Sequence, residues 1–432
     1  MKHLFPIVSL CGAIVLAGCG SSSSSPSGSD DPSGDTPTNV APTIAGDANT
    51  TVSVGQPYSF IPTAGDADGD VLTFSIQNKP AWADFNASNG ALTGTPTAYG
   101  ATADINISVS DGEDTASLPL FTLTVYERVK ATGQLKSYDA NGTEVTDGSV
   151  KDDGYYLAGS ALDYTRTPLD ADEINATVTD NVTGMMWQDD TDVTVKTSLK
   201  NADGDLDYDA VCAARNAGGY SDWRFPTIHE VVMFSDFGTS DYNPKVLENI
   251  PASFVRTSSY LNGSTIFMWS LSPSVHKLGK TFFASSGYVR CVRGDELDTT
   301  ATLERDHETG TVTDVKTGLM WQDDSNITDA GTMDWAAAID RCEAMSLGGY
   351  DDWRLPNLME MVSITDFDNE TIKTGFETAG GTDYFWTSTS RVDAPSFAWA
   401  YRFDPNGSDF ADSNTYSKTQ GAFKTMCVRT IE

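Results

Sequence analysis

Four aspartates open the chemistry of this sequence. Asp66, Asp68 and Asp70 alternate through a turn containing Gly69, and Asp111 stands beside Gly112 just after the run Ile105, Ile107, Val109. Carboxylates at alternate positions on a glycine-containing turn bring several hard oxygens onto one small cation, so this set is read as a calcium site. The competing reading is a solvated acidic turn between two strands. A second run, Asp203, Asp205, Asp207 and Asp209, fails the EF-hand pattern because Tyr208 or Ala210 fills the glycine position, and it reads as a solvated loop. Four histidines, His3, His229, His276 and His307, lie too far apart in sequence to suggest a zinc or iron pair. With no nucleophile elbow, phosphate loop or His/Cys constellation of usable spacing, no enzyme is expected.

Composition bounds what must position these groups. The chain has 432 residues and a formal net charge of -34, from 27 Lys+Arg against 61 Asp+Glu, so it has length for several domains and repels phosphate backbones. Nucleic acid is excluded as a partner on charge. At 39% hydrophobic residues the chain can bury sizeable cores.

Lys2 precedes an apolar run, Leu4 to Val15, that is too short to span a membrane and ends in Leu16-Ala17-Gly18-Cys19. This resembles the bacterial lipoprotein signal, which implies that residues 1–18 are removed and that Cys19 is acylated and anchors the chain to membrane lipid. Gly20 and Ser21 follow, without the aspartate of inner-membrane retention, so the resemblance implies the outer membrane. Residues 19–41 are Ser, Gly, Pro, Asp and Thr with little to bury, and read as a tether reaching about 25 Å. The expected location is the cell envelope, as a surface-exposed outer-membrane lipoprotein.

Across residues 42–126, period-two apolar runs such as Tyr58, Phe60 and Leu72, Phe74, Ile76 are bounded by Gly, Pro, Asp and Asn, the pattern of an antiparallel β-sandwich. The strings Ala41-Pro42-Thr43-Ile44, Asp66-Ala67-Asp68-Gly69-Asp70, Pro80-Ala81-Trp82 and Val109-Ser110-Asp111-Gly112 resemble an immunoglobulin-like family of bacterial surface proteins related to cadherin domains. That resemblance implies calcium at Asp66, Asp68, Asp70 and Asp111.

The rest of the chain repeats itself. Thr177 to Asp190 reads TVTDNVTGMMWQDD and Thr311 to Asp324 reads TVTDVKTGLMWQDD; Gly218 to Pro226 answers Gly348 to Pro356; both copies finish in Cys-Val-Arg. So long a period means two tandem globular domains and not a solenoid. Repeat one is taken as 177–294 and repeat two as 300–432, with 127–176 as a lead-in. Trp335, Ile339 and Cys342 share one helical stripe, Thr227 with Glu230 and Asn357 with Glu360 are capping-box pairs, and the later Thr/Ser-rich aromatic stretches read as strands. Each repeat is therefore α+β. With Cys11 removed and Cys19 acylated, Cys212, Cys291, Cys342 and Cys427 remain, and four thiols permit three pairings. Joining Cys212 to Cys291 and Cys342 to Cys427 lets both copies fold alike.

These motifs resemble the family named after the C-terminal domain of the collagen-like adhesin Lcl, and the helix cysteine with its late partner suggests a C-type-lectin-like fold by analogy. The family resemblance implies surface attachment, including sulfated polysaccharide as ligand. A -34 chain has no evident basic surface for sulfate, so a neutral glycan or a protein is the expected partner. Trp187, Trp321, Trp223 and Trp353 sit beside fixed Gly and Pro turns and are assigned to the core. Trp399, Tyr401 and Tyr384 have no repeated partner and are the ligand-binding candidates. Arg224 and Arg354 are expected to pair with Asp222 and Asp352 or with a backbone carbonyl. The expected function is a lipid-anchored adhesion protein whose sandwich spaces two ligand-binding domains. Two alternatives stand beside it: a structural envelope lipoprotein, or an enzyme on a lectin-like fold similar to formylglycine-generating enzymes.

Overall fold

In the computed structural model the described residues are 38–167, 176–195, 197–198, 208–240, 243–249, 255–261, 264–272, 277–282, 286–367, 369, 371–377, 383–403, 414–419 and 422–431. Cys19, most of the tether, and Asp203, Asp205 and Asp207 lie outside them; Asp209 falls in the helix Tyr208–Ala213. The chain is mostly β, with 35% strand and 12% helix.

Alternation in the N-terminal region does what period two requires. One sheet runs Thr51–Ser53, Phe121–Tyr126, Gly100–Ser110, Thr73–Gln77, and a second runs Tyr58–Phe60, Leu92–Gly94, Ala83–Phe85. Tyr58, Phe60 and Leu92 from one sheet meet Ile105, Ile107 and Leu123 from the other in a single buried cluster.

Both repeats build the same four-stranded sheet. Tyr164–Thr167, Thr177–Asp180, Met186–Gln188 and Val292–Arg293 lie side by side in the first copy, and Leu303–Asp306, Thr311–Asp314, Leu319–Gln322 and Val428–Thr430 in the second. Register is identical: Val178 faces Trp187, which faces Val292, and Val312 faces Trp321, which faces Val428. Each copy adds a three-stranded sheet, Val255–Leu261, Ser264–Ser272, Lys277–Phe282 and Tyr384–Ser390, Phe397–Arg402, Asn414–Ser417. Disulfides Cys212–Cys291 and Cys342–Cys427 close each copy on itself.

The copies are not independent globules. Trp187, Phe234 and Phe237 of the first share one buried cluster with Trp321, Met361, Trp399 and Tyr401 of the second. Helix Ile228–Phe234 packs against helix Leu358–Ser363 across this junction. Beads-on-a-string spacing therefore gives way to a fused pair, in which each helix packs on the three-stranded sheet of its own repeat and on the helix of the other.

The lead-in is a strap and not a linker. The Glu127 amide donates to the Lys316 carbonyl at 2.8 Å and Arg128 Nη2 to the Ile431 carbonyl at 3.0 Å, tying the sandwich to the second repeat. At this contact Gly318 has φ +69°, and a Cβ there would lie 2.8 Å from the Tyr126 ring. Lys130 and Asp180, both buried, pair at 2.7 Å with the first repeat. Gln134 Oε1 accepts from the Ser390 amide at 2.6 Å, and Asp153 accepts from Thr389 Oγ1 at 2.8 Å, on the second.

Candidate functional site

The acidic corner of the sandwich divides in two. Carboxylate oxygens of Asp66, Asp68 and Asp70 lie within 4.8 Å of one another. Asp66 Oδ1 accepts from the amides of Asp68 and Gly69 at 2.9 Å and of Asp70 at 3.2 Å, which folds the turn around it. Its Oδ2 is buried with no hydrogen-bond partner among the described residues. Asp111 does not join the cluster. Its Oδ1 accepts from the amides of Glu113 and Asp114, and its Oδ2 from Asn39 Nδ2 at 3.0 Å. The Asn39 amide, followed by these backbone amides, holds its carboxyl below the usual range. What it shares with the cluster is a neighbouring segment, since Asp68 Oδ2 accepts from the Val40 amide at 2.8 Å.

The unrepeated aromatics are displaced from the surface. Trp399 and Tyr401 are 0% exposed, inside the core shared by the repeats, and Tyr401 shares a 2.8 Å hydrogen bond with Thr365 Oγ1. Neither can touch a ligand. Tyr384 is half-buried, packed edge-on against Tyr416 at 5.3 Å and under Arg402 at 4.9 Å.

Most repeated motif residues build the fold. Gln188 Oε1 accepts from the Cys291 amide and its Nε2 donates to Asp190; Gln322 does the same for Cys427 and Asp324. Arg224 and Arg354 do not pair with Asp222 and Asp352, though Arg224 Nε donates to a backbone carbonyl, that of Gly294, at 3.2 Å. They fork onto Glu230 and Glu360 at 2.6 and 2.8 Å, the carboxylates that also close the capping boxes begun by Thr227 and Asn357. Capping spacing and the Trp-Arg-x-Pro turn place these partners six residues apart, within reach across one helical turn. Trp187, Trp321, Trp223 and Trp353 are buried.

One repeated aromatic faces out. Tyr220 is 38% exposed and Tyr350 41%. The Arg293 guanidinium lies 3.8 Å from the Tyr220 ring centroid and the Arg429 guanidinium 3.8 Å from that of Tyr350. Each arginine is pinned by two parallel hydrogen bonds, Arg293 to Asp222 at 2.8 and 2.9 Å, Arg429 to Asp352 at 2.6 and 2.9 Å. The arginines hold both aspartate carboxyls below their ordinary range. Gly-Gly-Tyr in both copies was the available signal, hidden among residues that proved structural.

A cleft lies where sandwich, lead-in and both repeats converge. Its first lobe, about 390 Å³, is bounded by Tyr99, Val129, Met233 and Lys316; the second, about 350 Å³, by Glu296, Asp366 and Phe367. His229, Thr299, Thr300, Ala301 and Lys373 line both. His229 sets its ring edge-on to Phe367 at 4.5 Å. Burial, then the nearby Lys373 charge, pushes its pKa down to about 4, so the imidazole is neutral at physiological pH. Sequence spacing carried no hint of this junction.

Two segments of the chain, 176–293 and 310–429, match the model of the Lcl C-terminal domain, and residues 41–126 match the family described as "Putative Ig domain". No curated protein matches the chain. Among solved structures, the SrpA adhesin of Streptococcus sanguinis is 13% identical over 33% of this chain and 88% of its own, with a TM-score of 0.20. Human protocadherin-24 EC1-2 is 19% identical over 34% of this chain and 76% of its own, at 0.17. A Bacteroides fragilis chain named after alpha-galactosidase is 12% identical over 24% of this chain, at 0.18, and the match spans only 21% of its length. Superpositions this poor carry no functional argument.

Proposed function

Since this chain belongs to the Lcl C-terminal domain family, which covers more than half of it in two copies, we propose that it is a surface adhesion protein that binds a glycan or a protein through paired faces of its fused repeats. The observation that carries this reading is the duplicated platform. Tyr220 and Tyr350 keep their rings in solvent while a pinned arginine braces each one, so the aromatic surface is presented without further ordering. Rigid amphipathic rings of this kind are what sugar faces and protein hot spots stack upon. Two platforms on one rigid body also favour a ligand that repeats, because the second contact forms at high effective concentration.

In this reading Cys19 anchors the chain to lipid of the outer membrane, residues 20–41 tether it, and the sandwich spaces it. The repeats, each a helix-and-sheet unit of C-type-lectin-like character, do the binding, without catalysis. Calcium belongs at Asp66, Asp68 and Asp70, where the unpartnered Asp66 Oδ2 supplies a free hard oxygen.

The test is an array of glycans and matrix proteins probed with the wild-type chain and with Tyr220→Ala/Tyr350→Ala, with and without calcium. A saturable hit weakened in the double variant is expected. Silence throughout returns the protein to a structural envelope role. A Cys19→Ala variant should leave the membrane fraction; its retention there would remove the anchor.

A further inference from the structure

Two of the strings that the repeats share, Gly-Gly-Tyr-x-Asp and the terminal Cys-Val-Arg, meet on the surface of each copy, where Arg293 holds Asp222 and Arg429 holds Asp352. The guanidinium covers one face of its tyrosine, 3.8 Å from the ring centroid in both copies. The area each ring leaves in solvent therefore lies on its edge and on the opposite face. Each arginine–aspartate pair carries no net charge, so what flanks the ring is neutral but polar. Asp222 and Asp352 keep 60% and 50% of their side-chain surface in solvent. The fork takes one lone pair from each carboxylate oxygen, and the second pair still accepts a hydrogen bond.

Three ligand classes fit this surface poorly. A polyanion meets a chain of net charge -34 and an exposed carboxylate beside each ring. A cation on the open face would lie across one ring from a guanidinium that already draws on its π electrons, so like-charge repulsion offsets the cation–π attraction. A protein partner needs a desolvated core of several apolar side chains within about 800 Å² of surface. Among the described residues of both repeats, the large apolar side chains that stand exposed are Tyr220, Tyr350 and Val195, too few for such a core. A single ring does suffice for a single sugar. A pyranose whose ring substituents are all equatorial offers an apolar face of axial C–H bonds to an aromatic ring and points its hydroxyls outward, toward a carboxylate at the rim.

We infer that each platform is a subsite for a neutral, all-equatorial hexopyranose of a β-linked glucan, stacked on the open face of Tyr220 or Tyr350 and donating hydroxyl hydrogens to Asp222 or Asp352. The β-linkage between such sugars is itself equatorial, so the chain stays flat enough to lie on an exposed ring. This rests on the proposed function and narrows its ligand to one chemical class.

The experiment is titration of the full chain with three hexamers that share one β-linked backbone and differ in charge: cellohexaose, its glucuronate counterpart and its glucosamine counterpart, all at a mildly acidic pH that keeps the amine protonated. Cellohexaose should saturate, with both charged hexamers at least about tenfold weaker. Tyr220→Ala/Tyr350→Ala should weaken cellohexaose at least about tenfold, whereas Tyr220→Phe/Tyr350→Phe, which keeps the ring face, should stay within about twofold. Should the alanine variant fail to fold, the tyrosine ring resonances of the wild-type protein decide: those of Tyr220 and Tyr350 should move with cellohexaose and stay with the glucuronate hexamer. Unsaturable cellohexaose binding, a charged hexamer binding as tightly, still tyrosine resonances, or a folded alanine variant of undiminished affinity would each overturn the assignment. A tyrosine-dependent array hit on a protein or a charged polymer, with cellohexaose silent, would overturn it too and leave the adhesion reading in place.

Discussion

Phe237 of the first repeat meets Trp399 of the second edge-on, with ring centroids 5.4 Å apart and planes at 88°. This contact joins the duplicated domains, both rings being buried in the cluster the two copies share. Phe237→Ala should cost about 3–5 kcal/mol as a core truncation. Calorimetry should register the repeats unfolding in one transition, lowered as a whole by this substitution. Two separable repeat transitions would contradict the shared core.

Arg354 and Glu360 are paired at 6% and 2% side-chain exposure, whereas the equivalent Arg224 is 26% exposed against a fully buried Glu230. Removing one partner of a buried pair strands the other charge at a cost of about 3–5 kcal/mol. Arg354→Met should therefore shift the denaturation midpoint further than Arg224→Met, because water can reach the first-repeat carboxylate more readily once its arginine is gone. Equal shifts would show that exposure does not decide the penalty.

Asp153, on the strap, is buried against Thr132 and Thr389. Burial pushes its carboxyl up to about 7, against the lowering effect of both hydroxyls. The folded state thus holds a proton that the unfolded chain releases near 3.8. Stability from this group is full below that value and declines as pH rises toward 7, with a slope of about 1.4 kcal/mol per unit. Asp153→Asn should flatten the melting temperature between pH 4 and 7 and raise it at neutral pH. Lys418, pushed down to about 7 by burial, acts oppositely: the unfolded chain binds the extra proton, so its contribution recovers as pH rises above 7.

Cys212–Cys291 and Cys342–Cys427 span 79 and 85 residues. Loops of this length correspond to about 4–5 kcal/mol each in the chain-entropy model. Serine replacement of either pair should lower the calorimetric midpoint by a comparable amount. Non-reducing peptide mapping should return these two linkages and no Cys212–Cys342 species.

Calcium at Asp66, Asp68 and Asp70 should raise the melting midpoint of the sandwich in millimolar calcium relative to chelator, and Asp68→Ala should abolish the difference. Asp111→Ala should leave most of the calcium effect, because its oxygens are taken by Asn39 and its own turn. An unchanged midpoint would mark the acidic corner as a solvated turn.

What the sequence determined by itself was local or duplicated. Period-two runs told which Tyr, Phe and Ile residues of the sandwich point inward, Thr227/Glu230 and Asn357/Glu360 marked two helix starts, and the repeat matched cysteine with cysteine. Each of these depends on neighbours a few residues away or on a second copy with the same spacing. Tertiary structure alone decided the rest. Residues of Phe397–Arg402 are buried on both faces, so alternation could not show that Trp399 and Tyr401 sit inside the junction. The capping glutamates, and not the adjacent aspartates, won Arg224 and Arg354, because a planar guanidinium forks onto a carboxylate already fixed by its helix. Tyr220 and Tyr350 each follow a pair of glycines in the left-handed region, Gly218 and Gly219 or Gly348 and Gly349, and remain exposed. His229, on helix Ile228–Phe234, and Lys373, just after strand Thr371–Ile372, line one cleft only because the two repeats share a core.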